Sequence, residues 1–231
     1  MIVAALNNYT LDVGEGCGLY IEDTGTTVNV SSFENYALNT NYGSITYVGE
    51  SAVLNAVSSN SSGIFGDNVN VNTDGTGVIT VIGGDSGISA SMYLRFNRVS
   101  LNGSGNFNIA GDVSSNVIHT YSPIMMSDSV TLNVTNNQTG AETHNFVKTS
   151  DSDEYYWKLT NTTIVDPLTG SSIEVAVAAG ATGTIERVAP IKITSTASFS
   201  CVSDTGGSFG LTAKGAVPIK WDLDGTVPDG I

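Results

Sequence analysis

The segment Val130-Thr131-Leu132-Asn133-Val134 has an apolar side chain at every second position, and the chain then turns through Asn136-Asn137-Gln138-Thr139-Gly140. Apolar residues at alternating positions are typical of a β-strand with one buried face. The run after the turn contains Phe146 and Val147, so residues 129–149 are predicted to form a β-hairpin. This stretch indicates a fold built from short strands and turns.

The same alternation recurs along the chain. It is longest from Ile191 to Val202, and no window predicts a helix. In the first half the strand candidates are Thr27–Val30, Ser44–Val48, Gly77–Ile82, Ser91–Phe96 and Asn106–Ile109. In the second half the residues that share apolar faces, and that we expect in the core, are Trp157, Leu159, Ile173, Val175, Val177, Ile191, Ile193 and Phe199.

The composition favours an all-β protein. Ser, Thr, Asn and Gly make up 100 of the 231 residues, and all four are mediocre or poor helix formers. Hydrophobic residues reach 40%, with nine Tyr, seven Phe and two Trp, so a core can form and disorder is disfavoured. We therefore expect two β-sandwich-like units, of the jelly-roll or immunoglobulin-like type, with little or no helix.

A change in composition predicts the domain boundary. All five prolines lie after residue 122, whereas 20 of the 21 asparagines lie before residue 146. Together with the break at Tyr121-Ser122-Pro123, this places a boundary near residues 122–128 and gives domains 1–124 and 125–231. No repeat of fixed period is found, which disfavours a solenoid.

The charge limits the class of partner. The chain has 22 acidic and eight basic residues, a net charge of −14, and no Lys or Arg precedes Arg95. An acidic surface repels phosphate backbones and anionic lipid, so we expect neither direct nucleic-acid binding nor membrane association. No apolar stretch approaches the roughly 18 residues that span a bilayer.

The beginning of the chain and its cysteines differ from those of a typical extracellular protein. The run from Met1 to Leu6 has no basic residue, so we expect no secretion signal. Cys17 and Cys201 are the only cysteines. Cys201 lies on the apolar face of an alternating run and is interpreted as a buried thiol, although pairing of the two cysteines stays open.

Two short motifs resemble parts of catalytic or metal sites. Gly84-Asp85-Ser86-Gly87 resembles the nucleophile segment of chymotrypsin-like serine proteases, but that family requires a His and then an Asp upstream, and both His119 and His144 lie downstream. His144-Asn145-Phe146 resembles the first-ligand strand of cupredoxins, but no His or Met follows Cys201 to complete a copper site. We therefore predict no catalytic residue, no cofactor and no enzymatic activity.

Calcium is the metal for which the chain has suitable ligand types. Clustered carboxylates supply the hard oxygen ligands that Ca²⁺ prefers, and solvated acidic turns are the alternative interpretation. The candidates are Asp222, Asp224, Asp151 and Asp153, with a further group of Asp67, Asn70, Asn72 and Asp74.

The segment from Ser172 to Ile185 is similar to the strand-turn-strand of immunoglobulin-like β-sandwiches in accessory proteins of tailed bacteriophages. The resemblance implies a non-enzymatic structural component of a virion, made in the host cytoplasm. Its role would be that of a capsid decoration (cement) protein or a head or tail fibre, and its partners would be copies of itself and other virion proteins. A tail tube subunit, or a cell-surface adhesin, pilus or surface-layer module, is the alternative, followed by a carbohydrate-binding module.

Overall fold

The computed structural model describes residues 2–5, 10–41, 44–90, 98–112, 116–120, 122–127, 129–148, 156–166, 172–188, 192–193 and 213–214. Every regular element in these ranges is a β-strand, which confirms the prediction of an all-β fold. Within the same ranges, no helix exists that would be long and apolar enough to cross a membrane.

The strands are short, with two to seven residues each, and alternate with turns. In chain order they are β1 (Ile2–Ala5), β2 (Leu11–Val13), β3 (Gly18–Ile21), β4 (Thr27–Ser32), β5 (Leu38–Thr40), β6 (Ile45–Val48), β7 (Val53–Ser58), β8 (Ile64–Gly66), β9 (Asn68–Thr73), β10 (Val78–Gly83), β11 (Ile88–Ala90), β12 (Arg98–Gly103), β13 (Asn106–Gly111), β14 (Ile118–His119), β15 (Ile124–Met126), β16 (Thr131–Asn136), β17 (Thr143–Lys148), β18 (Tyr156–Thr160), β19 (Thr163–Asp166), β20 (Ser172–Val177), β21 (Thr182–Val188), β22 (Lys192–Ile193) and β23 (Ala213–Lys214).

Three sheets are each assembled from every third strand of the first part of the chain. Sheet 1 has the order β1-β4-β7-β10-β13-β16-β21-β18, sheet 2 the order β14-β11-β8-β5-β2, and sheet 3 the order β19-β20-β17-β15-β12-β9-β6-β3. A small separate sheet pairs β22 with β23. The chain therefore passes from sheet 1 to sheet 2 to sheet 3 and returns to sheet 1 one strand further along, which is the path of a β-solenoid.

The first fifteen strands form five stacked coils of three strands each. All pairs between these coils are parallel. In sheet 1 the five parallel strands that follow β1 begin at Thr27, Val53, Val78, Asn106 and Thr131, so successive starts are 26, 25, 28 and 25 residues apart. The expected pair of β-sandwich-like units is not evident in these strands. Alternation has the same period in a sandwich and in a coil, so it indicated strands without indicating which strands pair.

The predicted hairpin at residues 129–149 is wrong. β16 belongs to sheet 1 and pairs with β13 and β21, whereas β17 belongs to sheet 3 and pairs with β15 and β20. The segment Ser172–Ile185 is likewise a strand, a turn and a strand, but β20 lies in sheet 3 and β21 in sheet 1. In both segments the turn leads the chain from one sheet to another instead of joining two paired strands.

The core is made of rows of apolar side chains that stack from coil to coil. Parallel strands in register place equivalent positions directly above one another, so an inward-facing position repeats along the axis. Burial of each such side chain contributes about 1.5–3 kcal/mol. Sheet 1 contributes the row Val28, Leu54, Ile79, Phe107, Leu132 and Ile185, sheet 2 the row Leu38, Ile64, Ile88 and Ile118, and sheet 3 the row Val69, Val99, Ile124, Val147 and Ile173.

The core predicted for the second half of the chain is confirmed for three of its residues. Ile173, Val175 and Val177 are buried, whereas Trp157 and Leu159 pack against the core and remain partly exposed. Ile191, Phe199 and the side chain of Ile193 lie outside the described residues.

Antiparallel strands follow the parallel coils at the C-terminal end of sheets 1 and 3. β21 lies between β16 and β18 in sheet 1, and β20 lies between β17 and β19 in sheet 3. These antiparallel strands extend both sheets beyond the parallel strands. The division into domains 1–124 and 125–231 stays a prediction. Sheets 1 and 3 are nevertheless continuous across it, because β13 pairs with β16 and β12 with β15.

Candidate functional site

The structure does not bring the calcium candidates together. Asp151, Asp153, Asp222 and Asp224 lie outside the described residues. Asp67 and Asp74 flank opposite ends of β9, so about 23 Å of extended strand separates them. Among the described residues, no three His, Cys, Asp or Glu side chains are placed to hold a metal ion.

The protease-like motif forms a corner between β10 and β11, and Ser86 is buried there. Position 84 requires a residue without a side chain, because the neighbouring coil approaches it closely. A Cβ at Gly84 would lie 3.0 Å from the backbone nitrogen of Asn60 and closer still to the carbonyl of Ser59. The motif therefore allows two corners to stack, and the absence of a catalytic centre stays a prediction.

The two histidines lie on strands of different sheets, His119 on β14 of sheet 2 and His144 on β17 of sheet 3. The exposed ring of His144 places Nδ1 3.3 Å from Glu174 Oε1 and Nε2 4.0 Å from Glu142 Oε2. His144 is therefore a surface residue between carboxylates. Cys17 is exposed and Cys201 lies outside the described residues, so their pairing stays open.

The most distinctive surface in the described part of the chain is the outer side of sheet 1. In each of the five neighbouring strands β4, β7, β10, β13 and β16 of sheet 1, three alternating side chains point outward. None of these fifteen side chains carries a charge, although the protein has 22 acidic residues. We call these residues the uncharged face: Thr27, Asn29, Ser31, Val53, Asn55, Val57, Val78, Thr80, Ile82, Asn106, Asn108, Ala110, Thr131, Asn133 and Thr135.

Hydrogen bonds between side chains of adjacent coils order the middle row of this face. Asn55 Nδ2 donates to Asn29 Oδ1 at 2.7 Å, and Asn133 Nδ2 donates to Asn108 Oδ1 at 2.9 Å. At the C-terminal side, Thr184 Oγ1 donates to Asn133 Oδ1 at 2.8 Å. These hydrogen bonds pair polar groups of the face with one another and hold the side chains in fixed positions.

Acidic residues are concentrated along the neighbouring edge, where the chain turns from sheet 3 to sheet 1. Glu22, Asp23, Glu50 and Asp74 are exposed there on successive coils. Partial burial raises the pKa of Tyr47 on the adjacent strand, and the carboxylates of Asp74 and Glu22 raise it further. Charge is thus segregated from the uncharged face and concentrated at its border.

The uncharged face is hard to recognise in the sequence, because its strands begin about 25 positions apart and are separated by charged corners. The available signal was the recurring apolar-Asn-apolar triplet at residues 28–30, 54–56 and 132–134. Comparison with known proteins adds no relative: no protein-family model matches the chain, and neither the curated proteins nor the solved structures give a match.

Proposed function

We propose that this protein is a non-enzymatic structural component of a virion, acting as a head or tail fibre or as a capsid decoration (cement) protein. It works through contacts of the uncharged face with copies of itself and with neighbouring virion proteins. The observation that carries the proposal is the absence of charge from fifteen consecutive outward positions of sheet 1.

Charged side chains on an exposed sheet keep neighbouring molecules from associating, and protein interfaces are depleted of them at their centres. Five strands about 4.8 Å apart and six residues at about 3.3 Å give the face a projected area on the order of 400 Å², about half of one partner's share in a standard interface. A contact of that size is weak alone, but many copies in an array reinforce one another.

The solenoid favours the fibre among these virion roles. Coils stack along a single axis, and the eight strands of sheet 1 extend about 34 Å along it at about 4.8 Å per strand. Lateral contacts through the uncharged face would hold neighbouring solenoids together in a fibre. The alternatives, a tail tube subunit or a cell-surface adhesin, pilus or surface-layer module, would use the same face in a different location.

Analytical ultracentrifugation tests the contact. We expect the wild-type protein to associate beyond its 23.9 kDa monomer as its concentration rises. Ile82, which is 38% exposed at the edge of the face, is the position for a disrupting charge. Ile82→Glu should shift the population toward monomer, whereas Ser89→Glu on the outer side of sheet 2 should not. A wild-type monomer at millimolar concentration would contradict the proposal.

The place where the protein is found in the virus particle or on the cell distinguishes the virion role from its alternatives. Antibodies against the purified protein, used in immunogold electron microscopy, should label purified virus particles from the source that encodes the chain. Label along fibres or on the capsid supports the proposal and label within a tail supports the tail tube. Label on the cell surface and none on particles would replace the virion role with the adhesin.

A further inference from the structure

A pair of tyrosines stands on the outer side of sheet 3, on the first two coils. Tyr20 of β3 and Tyr47 of β6 occupy paired positions, and their ring centroids are 6.2 Å apart with a tilt of 43°. Tyr20 is 58% exposed, the largest exposure of any large hydrophobic side chain in the described part of the chain. The same row continues with Asn72 on β9 and Asn102 on β12.

The position of the Tyr20 ring depends on Gly18. A Cβ at Gly18 would lie 2.6 Å from Tyr20 Cζ and 2.8 Å from its Oη, so the ring leans along the strand and occupies the space above the glycine. With 58% of its surface exposed, much of the Tyr20 side chain remains accessible to solvent. Gly18 therefore keeps an aromatic ring low on the sheet, where it forms a platform.

Polar groups extend the platform along the row. The side chain of Asn72 follows Tyr47 in the row and is partly exposed, and its amide can both donate and accept hydrogen bonds. Asn102 Nδ2 donates to Asn70 Oδ1 at 3.1 Å, which fixes the orientation of the next amide. On the adjoining corner, Tyr47 Oη donates to Asp74 Oδ2 at 3.5 Å.

We propose that the row Tyr20, Tyr47, Asn72 and Asn102 is a binding site for a neutral oligosaccharide. The apolar C–H face of a sugar ring packs on an aromatic ring, and its hydroxyl groups exchange hydrogen bonds with amides, which both donate and accept. The strand spacing of about 4.8 Å is close to the length of one sugar unit, so consecutive units meet consecutive coils.

Charge restricts the class of sugar. Glu22 and Asp74 are exposed beside Tyr47, and both raise its pKa, so the site lies in a negative potential. Sialylated and uronic-acid glycans are repelled there. The row is also an open sheet face, whereas proline-rich peptides dock in aromatic-lined grooves. The site is independent of the proposed virion role, because it rests on a different sheet and on different residues.

Saturation-transfer NMR with chitohexaose, cellohexaose and mannohexaose tests the proposal, with 6′-sialyllactose as the anionic probe. We expect at least one neutral hexasaccharide to bind and the sialylated one not to bind. Tyr20→Ala should lower the affinity about tenfold, in line with the loss of one stacked aromatic contact. Tyr20→Phe keeps the ring and should stay within about threefold.

Gly18→Val tests the positioning of the ring, since a side chain there displaces it, and it should weaken binding as Tyr20→Ala does. Phe33→Ala is the matched control, because Phe33 is 51% exposed but lies at a corner between sheets 1 and 2. Circular dichroism checks that each variant folds. If Gly18→Val does not fold, the Tyr20 variants alone test the proposal. The proposal is overturned if no hexasaccharide binds at about 10 mM, if Tyr20→Ala binds like the wild type, or if decaproline binds in place of the sugars.

Discussion

The guanidinium group of Arg187 lies 4.8 Å from the centroid of the Trp157 ring, and antiparallel pairing of β21 with β18 places the two residues directly opposite each other. Arg187 is only 5% exposed. A cation over an aromatic face is attracted by the ring quadrupole, more strongly where water is excluded. The pair lies on the last two strands of sheet 1, where Trp157 packs against the core.

Replacement of Trp157 by Ala should lower the free energy of unfolding by about 3 kcal/mol, because it removes packing against the core and leaves a buried cation without its ring. Trp157→Phe retains a ring and should lose about 1 kcal/mol. Urea denaturation measures both, with exposed Thr160→Ala on the same strand as the control. A loss below about 1 kcal/mol for Trp157→Ala would show that the ring contributes little to the core.

Asn136 joins three segments at the end of β16. Its Nδ2 donates to the carbonyl oxygens of Ala141 at 2.8 Å and Val177 at 3.1 Å, and its Oδ1 accepts from the backbone N–H of Gln138 at 3.1 Å. Asn136→Ala should cost about 3 kcal/mol, because buried backbone groups lose their partners. Exposed Asn137→Ala is the neighbouring control for urea denaturation. Equal stabilities of the two variants would contradict this role.

Gly84 should tolerate no larger residue, because a side chain would meet the Ser59 carbonyl of the preceding coil. We expect Gly84→Ala to destabilise the protein by about 2 kcal/mol or more, since the two corners must separate. At Gly14 a Cβ would meet only Cys17 Sγ at 3.7 Å, an ordinary contact, so Gly14→Ala should have little effect. Thermal unfolding of both variants checks the prediction, which fails if both melt like the wild type.

The phenol of Tyr47 should titrate above its ordinary pKa of 10.0, because partial burial and the carboxylates of Asp74 and Glu22 disfavour the phenolate. A raised pKa in the folded state means that the contribution of Tyr47 to stability is complete below pH 10.0 and is lost as the pH rises through the raised value. Asp74→Asn should lower the pKa.

Tyrosinate absorbance measures that titration, with Tyr47→Phe subtracted to isolate the one residue. Asp23→Asn is the control, because this exposed carboxylate on the same edge is not among the groups that shift Tyr47. An unchanged pKa in Asp74→Asn would show that Asp74 has no influence on the phenol.

Alternation along the sequence predicted several strands in the described residues but not their partners. The candidates at residues 27–30, 44–48, 77–82 and 106–109 coincide with β4, β6, β10 and β13, whereas the candidate at 91–96 lies outside the described residues. Side-chain alternation is a local property of each strand. Pairing in a solenoid depends on the length of a whole coil, and unequal corners make that length vary, which hid the repeat.

The candidate surfaces were harder to predict for the same reason. Asn29, Asn55 and Asn133 lie in one row only because their strands are in register, a fact that no short window of sequence contains. Tyr20 and Tyr47 are 27 positions apart and meet only because β3 pairs with β6. Motifs of four adjacent residues, such as Gly84-Asp85-Ser86-Gly87, were visible in the sequence and proved to be a corner.

The arrangement of strands across the solenoid axis has a mechanical consequence. Because hydrogen bonds between coils run along the axis, a pull on the two ends loads the junctions between coils in series, and the weakest junction sets the force at which the rod begins to open. A pull across the axis instead shears many bonds of one junction at once. A molecule that must carry tension would therefore resist a sideways load better than an axial one, and lateral attachment to a neighbouring rod would bypass its weakest junction.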